Sequence, residues 1–112
     1  VGMDDAWFGT PTFPSVWDPS VPTVILTHEV DILSDLPEGV GDIVFLGHTH
    51  GGQIRLPYIG SLAPLPQEAP GWLDQGLKTW RKMRLIISRG IGESTVRMRL
   101  WARPQIVVVE FY

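Results

Sequence analysis

Gly41-Asp42-Ile43-Val44-Phe45-Leu46-Gly47-His48-Thr49-His50-Gly51-Gly52-Gln53 joins an apolar run directly to a loop of two imidazoles and three glycines. Four apolar residues without alternation read as a buried strand, because a strand with one wet face alternates apolar with polar. Imidazole is the commonest protein ligand for divalent transition metals. Glycines beside it let backbone, metal and substrate approach with no Cβ in the way. The third and last histidine repeats the pattern: Val24-Ile25-Leu26-Thr27 is a second short run, and it ends in His28. In open α/β sheets, ligands sit in the crevice beyond the carboxyl ends of the strands. All three histidines therefore fall where a sheet does its chemistry.

A lone histidine at a strand end is usually a hydrogen-bonded structural residue, and His28 taken singly reads that way. His48 and His50 flank one residue after a strand too apolar to be solvated, and that pairing favours metal binding. Other folds use His-X-His as well. A cupin barrel would want a carboxylate shortly downstream, where this chain has Gly51, Gly52, Gln53, Ile54 and Arg55. An amidohydrolase barrel needs about 250 residues, and 112 do not suffice.

That length fits one small domain, and an apolar share of 44% supports a modest core. A net charge of −3 gives no reason to expect a nucleic-acid partner. Without cysteine there is neither a disulfide framework nor a thiolate site, so only nitrogen and oxygen ligands remain. No apolar run approaches the ~20 residues that cross a bilayer, and no signal segment is legible. Localisation stays unassigned, with soluble and membrane-peripheral states both open.

Proline and glycine punctuate the chain. Residues 6–22, with four prolines and two tryptophans, read as an irregular surface segment. Residues 23–27 and 42–46 read as strands, 31–36 as a short helix and 53–57 as a half-buried strand. Residues 58–82 form a long connection, proline- and glycine-rich at its start, with a short amphipathic helix over 73–80. Residues 83–88, 96–101 and 105–111 read as three strands in antiparallel pairing. The fold class is α/β (α+β) and β-rich.

The phrases Val24-Ile25-Leu26-Thr27-His28-Glu29, Gly41 through Pro57, and Ile87-Ser88-Arg89-Gly90-Ile91-Gly92 with Arg103-Pro104 downstream resemble, in order and spacing, the C-terminal half of bacterial calcineurin-like metallophosphoesterases. The resemblance implies a four-layer α/β/β/α sandwich whose site holds two divalent metals drawn from Mn, Fe and Zn. It implies that His28 and His48 bind one metal, that His50 faces the other, and that Gly47, Gly51 and Gly52 shape the loop. The implied substrate is a phosphate ester, monoester or diester, of small-molecule, lipid or nucleotide type. Two cations about 3.5 to 4 Å apart offset the charge that shields phosphorus from a nucleophile and acidify a bridging water.

The family pattern starts with Asp-X-His, Gly-Asp and Gly-Asn-His. This chain has no asparagine and no Asp-X-His. Asp4 and Asp5 read as turn or cap residues rather than ligands. The expectation is therefore a single partial domain over residues 1–112, whose catalytic residues and further metal ligands lie upstream of Val1. Such a chain alone would bind metal weakly or not at all, lack activity and self-associate. A non-catalytic β-rich module holding one structural metal is the alternative. Arg89, after an apolar strand, can fork onto phosphate oxygens, although a salt bridge is the plainer role for both Arg89 and Arg55. Trp72 and Trp80, near Lys78, Arg81 and Lys82, suit either a lipid surface or cover for the sheets.

Overall fold

In the computed structural model, which describes residues 1–62 and 69–112, the apolar runs become the centre of one four-stranded sheet. Its order is β1 (Val24–Leu26), β2 (Ile43–Leu46), β6 (Met83–Ile87), β5 (Gly76–Trp80). β1, β2 and β6 run parallel, with Ile25 opposite Val44 and Val44 opposite Leu85. β5 closes one edge antiparallel to β6. The other edge carries one isolated parallel bridge, Gly2 to Leu26, in which Met3 N–H donates to Leu26 O at 2.8 Å and Leu26 N–H to Val1 O at 2.8 Å. β3 (Arg55–Leu56) and β4 (Gly60–Ser61) make a separate two-stranded ribbon.

One sheet face forms the core. Ile25, Val44, Leu46, Leu85 and Ile87 are buried against Ile32, Leu33, Leu36, Val40 and Leu73. The crossover from β1 to β2 supplies most of that cover, Ile32 and Leu33 from one 3-10 turn, Asp31–Ser34, and Leu36 and Val40 from the residues after it. Each such side chain contributes about 1.5 to 3 kcal/mol on burial. Residues 6–22 carry no strand or helix, as their prolines imply, and are anchored by Phe13 edge-on to Trp17 and by Trp17 Nε1–H donating to Thr23 Oγ1 at 3.2 Å.

Several expectations need correction. Residues 73–80 are not helical: from Gly76 they form β5, paired through Trp80 opposite Met83. Of the half-buried strand expected over 53–57, only Arg55–Leu56 joins a ladder, with Ile54 in an isolated bridge beside it. Residues 96–101 and 105–111 join no ladder among the described residues; the former makes one isolated bridge, Ile54 to Leu100. β6 spends its two edges on β2 and β5, leaving neither for these segments. The start of the 58–82 connection includes 63–68, which lie outside the described residues. Trp80 packs partly buried against the core, its ring 6.0 Å from that of half-exposed Trp72. No described helix is long and apolar enough to cross a membrane.

Candidate metal centre

The parallel ladder brings two of the histidines together. Beyond the ends of β1 and β2 the pairing continues, with Thr27 N–H donating to Phe45 O at 3.1 Å and Gly47 N–H to His28 O at 3.0 Å. The parallel register thus delivers His28 and His48 side by side, their ring centroids 5.1 Å apart at 81°. Glu29 joins them: ligand atoms of His28, Glu29 and His48 all lie within 4.8 Å of one another. Two imidazoles and a carboxylate form a donor set suited to zinc or another transition dication. The residues fit a metal by their chemistry.

Glu29 was not among the candidates that the sequence offers. Placed just before a helical turn, it looks like a favourable N-terminal charge, yet it is 2% exposed and its Oε2 accepts Ala6 N–H at 3.0 Å. A carboxylate between a histidine and the apolar Val30 was the available signal. Asp5 lies close by and folds a turn, its Oδ1 accepting the N–H groups of Phe8 at 2.7 Å and Trp7 at 2.8 Å. Phe8 and Trp7 hold its carboxyl below the ordinary range, with smaller help from Glu29 and the charge of His28. That turn sets Trp7 edge-on to His48, centroids 4.7 Å apart.

His50 is not one of the three clustered residues. It opens the tight turn His50–Gly52, whose cap Thr49 accepts Gly51 N–H on Oγ1 at 3.2 Å and donates to Asp74 O at 2.6 Å. The ring of His50 meets the Gln53 carboxamide, Nδ1 to Oε1 at 3.1 Å. Both His48 and His50 adopt positive φ, 64° and 51°, a conformation that costs a side chain-bearing residue about 1 to 2 kcal/mol and that clusters at functional sites.

Gly51 and Gly52 curve the loop at positive φ, 62° and 75°. An added Cβ would stand 2.6 Å from Arg89 Cγ at Gly51 and 2.5 Å from Ser61 Cβ at Gly52, so protein rather than substrate fills that space. At Gly47 a Cβ would make ordinary contact with the His28 ring. Arg55 is an ion-pair residue, bound to Asp74 and to Gly51 O. Arg89 forms no ion pair among the described residues, and its buried Nε has no hydrogen-bond partner.

The chain is similar to several curated proteins. The chain is 31% identical over 111 residues to phosphodiesterase YaeI of Escherichia coli, covering 98% of this chain and 40% of the relative. It is 32% identical over 99 residues to UDP-2,3-diacylglucosamine pyrophosphatase LpxG of Chlamydia muridarum, covering 83% of this chain and 30% of that protein. It is 28% identical over 109 residues to the metallophosphoesterase YkuE of Bacillus subtilis, covering 95% of this chain and 37% of that protein. The chain belongs to the metallophosphoesterase family. Its strand-rich α/β sheet is consistent with part of a metallophosphoesterase sandwich. It spans well under half the length of these curated relatives. No family model and no solved structure matches it.

Proposed function

We propose that these residues form one side of a metallophosphoesterase centre that hydrolyses phosphate esters with divalent metal, and that residues 1–112 are part of a larger catalytic domain. The carrying observation is the convergence of His28, Glu29 and His48 at the carboxyl ends of two parallel strands. In this reading His28 and His48 hold one metal and His50 faces a second. Bound Mn, Fe or Zn would neutralise phosphate oxygens and supply an acidified water. Glu29 lends negative charge beside the two imidazoles, while its bond to Ala6 N–H ties the Trp7 turn against His48. Arg89, a cation with no carboxylate on it among the described residues, offers its guanidinium to the phosphate oxygens. The names of YaeI and LpxG point to a diester or pyrophosphate linkage, as in a nucleotide-linked lipid.

Changing His48 and His50 together to Ala, in the longest natural polypeptide that carries this sequence, is expected to lower manganese-dependent hydrolysis of a chromogenic phosphodiester by at least about 100-fold with the fold retained by circular dichroism. Turnover surviving in the double variant would defeat the proposal. A second reading, a module with one structural metal, draws on the same three-residue group, from which His50 stands apart. Calorimetric titration separates them: one equivalent of zinc lost with His28→Ala and unaffected by His50→Ala supports the module.

A further inference from the structure

The carboxamide of Gln53 has only one satisfactory orientation. Its nitrogen donates to Ser94 O at 3.0 Å and Val96 O at 2.6 Å, and its oxygen accepts the backbone N–H of Ser94 at 3.0 Å. A flipped amide would set oxygen against two carbonyl oxygens and NH2 against an N–H, losing all three bonds. The oxygen so fixed is the atom 3.1 Å from His50 Nδ1. An oxygen with no hydrogen can only accept, so Nδ1 carries the proton. A neutral imidazole has one N–H, and Nε2 is left with the free lone pair.

The backbone of His50 is held just as firmly. Arg99 donates from one guanidinium nitrogen to His50 O at 3.2 Å and Ala102 O at 2.8 Å, and from another to Arg89 O at 2.9 Å. Gln53 N–H donates to the same His50 carbonyl at 3.2 Å. The charge of Arg99 thus rests on carbonyls of the metal loop and of the two turns packed on it.

We propose that Gln53 is a positioning residue of the metal centre: it selects the His50 tautomer that presents Nε2 to a divalent cation, while Arg99 holds the His50 backbone in its left-handed conformation. This rests on the reading of His50 as a metal ligand. A ligating histidine commonly donates its other N–H to an oxygen that fixes ring and tautomer, and loss of that partner weakens metal binding 10- to 100-fold.

The test compares wild type with Gln53→Glu and Gln53→Leu. The glutamate keeps an acceptor for Nδ1–H but loses both N–H donors to the 94–96 segment, whereas the leucine loses everything. Two-bond nitrogen–proton NMR on the metal-free chain at about pH 8, where imidazole is neutral, reads the tautomer. Wild type and Gln53→Glu are expected to show a single Nδ1–H form at His50, and Gln53→Leu a mixture. Zinc alone should shift His50 Nε2 in wild type and bind roughly 10- to 100-fold more weakly to Gln53→Leu. An Nε2–H form in wild type, a measurement that needs no variant to fold, would overturn the proposal. So would an unchanged tautomer in Gln53→Leu, or equal loss in both variants, which marks a merely structural fastening. Wild type in the Nδ1–H form with His50 indifferent to zinc would overturn the metal half alone, and with it the reading of His50 as ligand.

Discussion

At the scale of single residues, what was legible was the donor chemistry and what was hidden was the conformation. His28, His48 and His50 announce themselves by type and by their place after apolar runs, and β1 and β2 deliver two of them together. Nothing in the letters shows that His48 and His50 sit at positive φ, or that Gln53 and Arg99, distant in sequence from one another, both close on His50. Glu29 is not legible as a ligand because burial is a property of the fold, not of the residue. The strain at His50 has a measurable consequence. Gly at φ 51° meets no Cβ penalty and Ala does. His50→Gly and His50→Ala remove the same ring and its bond to Gln53, so their difference isolates the backbone. His50→Gly is expected to be more stable in urea by about 1 kcal/mol. Equal midpoints, or a more stable alanine variant, would show that the left-handed conformation is not imposed by the surrounding loop.

At the scale of elements, the parallel strands were readable because continuous apolar runs bounded by turn residues have few other uses. β5 was not, and its turn explains why. Trp80 pairs with Met83 across a two-residue loop, and Arg81 and Lys82 both have positive φ, 44° and 68°. Two-residue hairpins with both centres at positive φ ordinarily advertise themselves as Asn-Gly or Asp-Gly. Arg-Lys gives no such signal, so the apolar spacing of Leu73, Leu77 and Trp80 reads as helical. The unfavourable turn is tolerated because its neighbours hold it: Arg81 O accepts Gly39 N–H at 3.1 Å, and Lys82 pairs with Glu38 at 2.9 Å on an exposed surface. That pair raises the Lys82 pKa and lowers that of Glu38, chiefly through the hydrogen bond between them. Exposed pairs of this kind contribute little because solvent screens them, less than two left-handed side chain-bearing residues cost. Replacing Arg81-Lys82 by Asn-Gly is therefore expected to stabilise the chain by about 1 kcal/mol, read as a higher urea midpoint at unchanged slope. A lower midpoint would mean that the charged contacts outweigh the backbone strain.

At the scale of the whole molecule, one sheet face is fully buried and the other only in part among the described residues. Leu26 and Leu77 are exposed on the open face, where a groove of about 500 Å³ runs over Ile43, Leu77 and Ile86. Parallel strands are rarely left open in this way, because their crossovers normally bury both faces. The 105–111 segment has the same character. Ile106 and Val108 are 80% and 81% exposed while Val107 and Val109 are half-buried, an alternation that belongs to a strand, yet the segment joins no ladder among the described residues. Residues 1–112 expressed alone are thus expected to self-associate, since an unpaired edge and a contiguous apolar face both favour a second copy. Sedimentation at increasing concentration would measure it, against a variant carrying Ile106→Lys and Val108→Lys. Lysine on an edge strand blocks pairing without touching the covered core, so the variant should remain monomeric at concentrations where the parent is a dimer or larger. A monomeric parent, or a variant that associates just as readily, would show that this segment is not the adhesive edge.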